Sequence, residues 1–267
     1  MYFDDTVFSF MKDVARRAGA VVVEGGRSLT SGDISSKATA ADIVTEYDRR
    51  AEQFIVSELL AAYPDTGIYG EEFGKNNAEA EWCWIIDPID GTASFVHDQP
   101  YYSVSIGLWR NGQPLAGVVY SPRLNELFSG IVSVGAWCNE VPIKVSCCDD
   151  IANAMVATGF SCLRAGWKNN NLPLFCKIAP LVREVRRMGS AALDICFVAS
   201  GRLDAFWELA LAPYDYAGAI SVLLGAGGVY SDTAGGGMLP GSAILCTNGK
   251  MHPVMLELLS SYKPTRN

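Results

Sequence analysis

The apolar positions between residues 4 and 24 fall at Val7, Phe8, Met11, Val14, Ala15, Ala18, Val21 and Val22, a spacing that predicts an amphipathic helix. "GGRSLTSGDISSKATAAD" (25–42) has no such period, and its Gly, Ser and Thr predict a loop or irregular hairpin. The helical period returns over 45–62 through Ala51, Phe54, Ile55, Leu59 and Ala62, and "YPDTG" ends it. "WCWII" (82–86) is an unbroken apolar run, the pattern of a strand buried on both faces, and it leads straight into "DPIDGT". The period then becomes two. "YYSVSIGLW" and "PLAGVVY" predict strands joined across Asn111-Gly112, and "ELFSGIV" and "VPIKVS" continue the antiparallel run. From about residue 150 the pattern is mixed: strand-like "NAMVATGF", helix-like 171–183, "GSAALDICFVASG", "LDAFWEL", a helix over 216–224 and "GGVYSD". No repeat or low-complexity linker interrupts it. Two sheet-bearing halves fused into one compact unit, 1–148 and 149–267, are expected.

Composition narrows the function. The chain has 267 residues, 49% of them hydrophobic and 19% charged, which suits a globular protein with a large core. A net charge of -8 argues against a nucleic-acid surface, which needs Lys and Arg against phosphates. No run reaches the ~18 apolar residues of a membrane span, and the acidic "MYFDDTVFSFMKD" lacks the basic start and apolar block of a secretory signal. Eight cysteines lie scattered without a C-x-x-C pair, so a reducing cytoplasm is expected rather than a disulfide framework or a zinc site.

The chemistry left open is that of oxygen. His97 and His252 are the only histidines and form no metal motif; G-x-S-x-G and P-loop signatures are absent. The acidic residues Asp42, Asp48, Glu71, Glu72, Asp87, Asp90, Asp204, Glu208 and Asp215 remain, several at predicted element ends. Two carboxylates ~4 Å apart repel by about 4 kcal/mol at an effective dielectric of ~20, so a converging cluster needs protons or cations. All-oxygen donors suit Mg²⁺ or Mn²⁺. D-P-I-D-G-T offers two carboxylates, the Ile89 carbonyl, and amides of Gly91 and Thr92 for a phosphate.

Each fragment alone also fits an ordinary role. Asp-Pro and Asp-Gly are common turn dipeptides, "TEYD" (45–48) is a capping box, "GEEF" (70–73) a solvated turn, and Asp215 an N-cap. Arg183, Arg186 and Arg187 read as a solvated face, and Trp82, Trp84, Trp137, Trp167 and Trp207 as core.

Together, and in this order and spacing, "DIVTEYD" (42–48), "GEEF" (70–73), "WIIDPIDGTASF" (84–95), "GSAALDICFVASGRLDAFWE" (189–208) and "PYDYAGAISVLLGAGG" (213–228) resemble the inositol monophosphatase family. The resemblance runs from the first helix nearly to the C-terminus. It implies an α+β fold, a five-layer α/β/α/β/α sandwich with a largely antiparallel first sheet and a mixed second sheet, usually as a homodimer. It also implies a lithium-sensitive phosphatase using two to three Mg²⁺. Glu71, Asp87 and the Ile89 carbonyl would bind one ion, Asp87, Asp90 and Asp215 a second, with Glu71 helping a third. Thr92, fixed by Asp48, would orient the attacking water beside Glu71. Gly91 and Thr92 would hold the phosphate, and Gly189, Ser190, Ala191 and Glu208 the polyol, with Asp90 and Asp215 also facing substrate. Tyr214 departs from the family's usual Trp, and Ala93-Ser94 from Thr-Asn; "PYD" is similar to histidinol-phosphate phosphatases of the same superfamily. The expected ligand is therefore a small phosphate ester, inositol 1-phosphate first and histidinol phosphate second. A regulatory protein acting through a partner is the reading of another class.

Overall fold

A computed structural model describes residues 1–36, 43–237 and 243–260. Asp42, with the rest of the 37–42 connection, lies outside the described residues. Helix α1 (Asp5–Ser28) starts where the Asp4 carboxylate accepts from the amides of Thr6 and Val7. Its buried stripe is the predicted one, less the partly exposed Val21. Strands β1 (Ile34–Ser36) and β2 (Ile43–Thr45) pair as a short antiparallel ribbon. Helix α2 (Glu46–Ala62) then begins on the predicted capping box between Thr45 and Asp48.

The first sheet contains β3 (Gly67–Gly70), β4 (Lys75–Asn76), β5 (Trp82–Asp90), β6 (Ser103–Arg110), β7 (Gln113–Ser121), β8 (Glu126–Ile131), β9 (Gly135–Cys138) and β10 (Val141–Pro142), with the short helix α3 (Thr92–Val96) after β5. The spatial order is β10-β9-β8-β7-β6-β5-β3-β4, and only β3 and β5 run parallel. Asn111 and Gly112, at φ 51° and 71°, make the β6–β7 turn that the dipeptide predicts. The second sheet contains β11 (Met155–Thr158), β12 (Glu184–Arg186), β13 (Ala205–Glu208), β14 (Val229–Ser231) and β15 (Ile244–Thr247), in the order β12-β11-β13-β15-β14. It is mixed: β11 is parallel to β12 and β13, while β15 is antiparallel to β13 and β14. The remaining helices are α4 (Ser161–Arg164), α5 (Leu172–Ile178), α6 (Ala191–Ala199), α7 (Pro213–Gly225) and α8 (His252–Ser260).

Three apolar clusters weld these elements into five layers. The first joins α1 and α2 to one face of the first sheet, through Met11, Val14, Ile55, Leu59, Trp84 and Ile106. The second places α6 and α7 between the sheets, with Phe197 and Ile220 against Phe128 on one side and Phe206 on the other. The third covers the outer face of the second sheet, where Trp207 and Leu245 meet Leu174 of α5 and Met255 of α8. Every residue of α6 is buried, as a helix packed on all sides requires.

Two predicted elements are shorter than their patterns. "VPIKVS" leaves the sheet after Pro142, and the Val145 amide bonds instead to Ala226 at the end of α7. The helical pattern over 171–183 stops at Ile178: Ala179 keeps helical dihedrals, but Pro180 has no N–H to continue the bonding, and Glu184–Arg186 then joins the sheet as β12.

Candidate active site

The nine residues of β5 are all buried, which carries the chain's acidic turn deeper than a strand exit. Asp87 and Asp90 lie within the strand itself, not beyond it at Ile86 as the apolar run suggests. They stand three positions apart, a spacing that puts side chains on opposite faces of a regular strand. The pairing with β6 resets this: Asp87 faces Ser105 and Asp90 faces Ser103, so β5 carries one extra residue around Pro88. Both carboxylates therefore line one cleft, together with Glu71, Thr92, Glu208 and Asp215.

Oxygens of Asp87, Asp90 and Asp215 all lie within 4.8 Å of one another. Glu71, at the end of β3, reaches Asp87 closely enough to hydrogen-bond it. Burial raises the Asp87 carboxyl well above the usual range, and Glu71, Asp90 and Asp215 push it the same way. Burial likewise raises Asp215, helped by Asp90 and Glu71. Asp90 is raised to about 7 by burial, although Ser190 and Ala192 counter the shift. The cluster holds protons or a cation. Its donors are oxygens alone, the set that fits a hard divalent ion, and the acidic cluster can bind one.

Each acid is fixed by its own element. Asp215 occupies the third position of α7 and accepts from the Ala212 amide at 2.6 Å, so the capping role and the cleft position coexist. Asp90 accepts from Ser190 Oγ at 2.6 Å and the Ala192 amide at 2.7 Å, which ties β5 to the start of α6. Asp48 stands behind the cleft. One of its oxygens accepts from the Thr45 amide at 2.7 Å and the other lies 3.2 Å from Thr92 Oγ1. That hydroxyl is also 3.2 Å from the Ile89 carbonyl and donates to one of the two at a time. Burial raises Asp48 to about 7, against its bonds to Thr45.

Gly91, Gly189, Ser190, Ala191 and Glu208 line the same cleft. The Glu208 carboxylate accepts from the Ser161 amide at 2.9 Å and from its hydroxyl at 2.7 Å. Asp204 is not part of the site. It accepts from the Met155 amide at 2.8 Å and from Ser146, so it fastens the first strand of the second sheet.

Sequence reasoning missed several residues. Glu52, fully buried on α2, accepts from the amides of Glu72 and Phe73 at 2.8 and 2.9 Å and so shapes the turn that presents Glu71. The one signal was its place beside Ala51, one turn from Ile55 and two from Leu59 on the buried face. Ser161, Arg164 and Asp194 line the cleft without any motif, and Arg187, read as a solvated face, lines it too.

Comparison with known proteins agrees with this geometry. The profile described as "Inositol monophosphatase family" matches residues 4–263. A Synechocystis protein named inositol-1-monophosphatase is 41% identical over 230 residues, 85% of this chain and 80% of that one. A Neisseria meningitidis serogroup B protein named putative Nus factor SuhB is 34% identical over 250 residues, 93% of this chain and 95% of that one. The solved structure of inositol monophosphatase from Anabaena (Nostoc) sp. superposes with a TM-score of 0.87 at 35% identity, covering 97% of each chain.

Proposed function

Because this chain belongs to the inositol monophosphatase family, we propose that it is a Mg²⁺-dependent phosphatase of small polyol phosphates, with inositol 1-phosphate as its preferred substrate. It is a phosphoric monoester hydrolase of that family. The observation that carries the Mg²⁺ reading is the trio Asp87, Asp90 and Asp215 within 4.8 Å, with Glu71 beside it. Glu71, Asp87 and the Ile89 carbonyl would hold one ion, Asp87, Asp90 and Asp215 a second, and Glu71 would share in a third. Bound there, Mg²⁺ supplies Lewis acidity to the phosphate and makes water acidic enough to attack near neutral pH.

The protein's own groups do the positioning. The Thr92 hydroxyl, backed by Asp48 and the Ile89 carbonyl, orients the attacking water, and Glu71 takes its proton. Amides of Gly91 and Thr92 hold the phosphate. Water attacks phosphorus as it gives its proton to Glu71, the bond to the polyol oxygen breaks, and that oxygen takes a proton from solvent water as it leaves. Gly189, Ser190, Ala191 and Glu208 face the departing polyol. Eight free thiols suit a reducing cytoplasm, no described helix is long and apolar enough to cross a membrane, and a homodimer is the assembly this reading implies.

Histidinol phosphate is the second substrate in this reading, favoured by Tyr214 before Asp215. Relatives named Nus factor SuhB support a partner-binding role as the alternative of another class. Phosphate release from inositol 1-phosphate, histidinol phosphate, fructose bisphosphate and adenosine bisphosphate, with and without Mg²⁺, tests the proposal. We expect Mg²⁺-stimulated release, fastest from inositol 1-phosphate. A higher rate on histidinol phosphate would reassign the substrate, and no stimulation on any ester would end the enzymatic reading.

A further inference from the structure

The reaction proposed above uses the acids around Asp87, and the same cleft is lined by Glu208 and Asp194. Glu208 is already served by two donors from Ser161. Its neighbour Asp194 is not. This side chain stands on α6 among Ala192, Leu193, Ile195 and Cys196, is 2% exposed, and lines the cleft wall. Its Oδ1 has no hydrogen-bond partner within the protein. Among the described residues the other buried oxygens in that condition are hydroxyls, of Ser105, Ser121 and Ser221. A buried carboxyl oxygen without a partner costs more than a hydroxyl, and in a cleft wall it calls for a ligand.

The charges nearby say what kind of ligand. Burial, Glu208 and Asp90 all disfavour further negative charge at Asp194, and only Arg187 opposes them. A phosphate belongs beside Asp87, Asp90 and Asp215, where cations can sit. Beside Asp194 a neutral group bearing O–H donors fits.

We propose that Asp194 is a specificity-determining residue whose free carboxyl oxygen accepts a hydrogen bond from a hydroxyl on the substrate's leaving group, selecting polyol esters over esters without such a donor. This rests on the phosphatase reading of the same cleft. It extends the polyol side beyond Glu208 and the residues at the start of α6, and it gives the orphaned acid a function that packing does not explain.

The test compares wild type with Asp194→Leu and Asp194→Asn, all loaded with Mg²⁺, on inositol 1-phosphate and on p-nitrophenyl phosphate, whose leaving group carries no hydroxyl donor. Asp194→Ala serves if leucine overfills the wall. In the leucine or alanine variant we expect KM for inositol 1-phosphate to rise roughly 10-fold, the scale of one hydrogen bond, with kcat/KM for p-nitrophenyl phosphate within about 2-fold. Asp194→Asn keeps an acceptor and should restore most of the KM. The leucine variant should also melt no lower than wild type, because it removes an unsatisfied buried acid. Equal losses on both substrates would make Asp194 merely structural, and no change on either would remove it from recognition; each outcome overturns the inference. A wild type that releases no phosphate from either ester would overturn the phosphatase reading, and this inference with it.

Discussion

Asp87 sits where three other acids converge, 1% exposed, and one of its oxygens accepts from the Ile89 amide at 3.0 Å. Asparagine at this position keeps the shape and the bond to Ile89 but removes the charge that would bridge two cations. We expect Asp87→Asn to fold and to lose more than about 10-fold in turnover, at least ~1.4 kcal/mol in barrier. Its unfolding midpoint without metal should not fall, because one member of a mutually repelling set is gone. A smaller loss, read as Mg²⁺-dependent phosphate release, would remove Asp87 from the bridging position. Asp87, Asp90 and Asp215 were visible in the sequence because each stands beside a turn or helix-start signal. Glu52 and Asp194 were not. Asp194 is a lone acid among apolar neighbours and Glu52 one of several charged residues in a mixed helix, and periodicity does not reveal whether such an acid turns to solvent or is buried against a turn or a cleft.

Helix α7 carries Asp215, and its seat on the first sheet sets where that acid points. The seat is unusually close: a Cβ on Gly117 of β7 would lie 1.9 Å from the Gly218 carbonyl oxygen, and one on Gly107 of β6 would lie 2.8 Å from the Ala217 carbonyl carbon. Backbone rests on backbone there. Gly117→Ala must therefore lift the helix or bend the strand, and we expect roughly 1–3 kcal/mol of lost stability in urea unfolding. The Mg²⁺ concentration for half-maximal activity should rise with it, since Asp215 moves with the helix. Unchanged stability and unchanged Mg²⁺ dependence would mean that the contact is slack. The hairpin at Asn111-Gly112, the capping box at Thr45 and the helix over 216–224 were legible because their signals are local. The early end of "VPIKVS" and the parallel pairing of β3 with β5 were not, since both depend on partners distant in sequence.

At the scale of the molecule, the cleft draws Asp87 and Asp90 from the first sheet and Asp215 from the helix layer between the sheets. The Asp90 bonds to Ser190 and Ala192 cross the same junction. The resemblance in the sequence anticipated the layered fold, while the convergence itself depends on the bulge in β5 and the depth at which α7 packs. This places a large electrostatic load at the junction, and its pH dependence has a definite sign. Asp48 and Asp90 titrate near 7 in the folded chain, both chiefly through burial, against about 3.9 for an unfolded aspartate. Below about pH 4 both states are protonated and the contribution to stability is fully present. Between about 4 and 7 the unfolded chain has released these protons while the folded chain has not, so stability falls as pH rises, and it levels off above. We expect the unfolding midpoint in chelator to drop from about pH 5 to about pH 8. Mg²⁺ should reverse this, raising the midpoint most at the higher pH, because it competes with protons for the oxygens of Asp90 and its neighbours Asp87 and Asp215 and binds only the folded arrangement. Thermal unfolding across that range, with chelator and with Mg²⁺, checks both signs. A midpoint that rises with pH in chelator, or a Mg²⁺ effect larger near pH 5 than near pH 8, would mean that these carboxylates do not share one site.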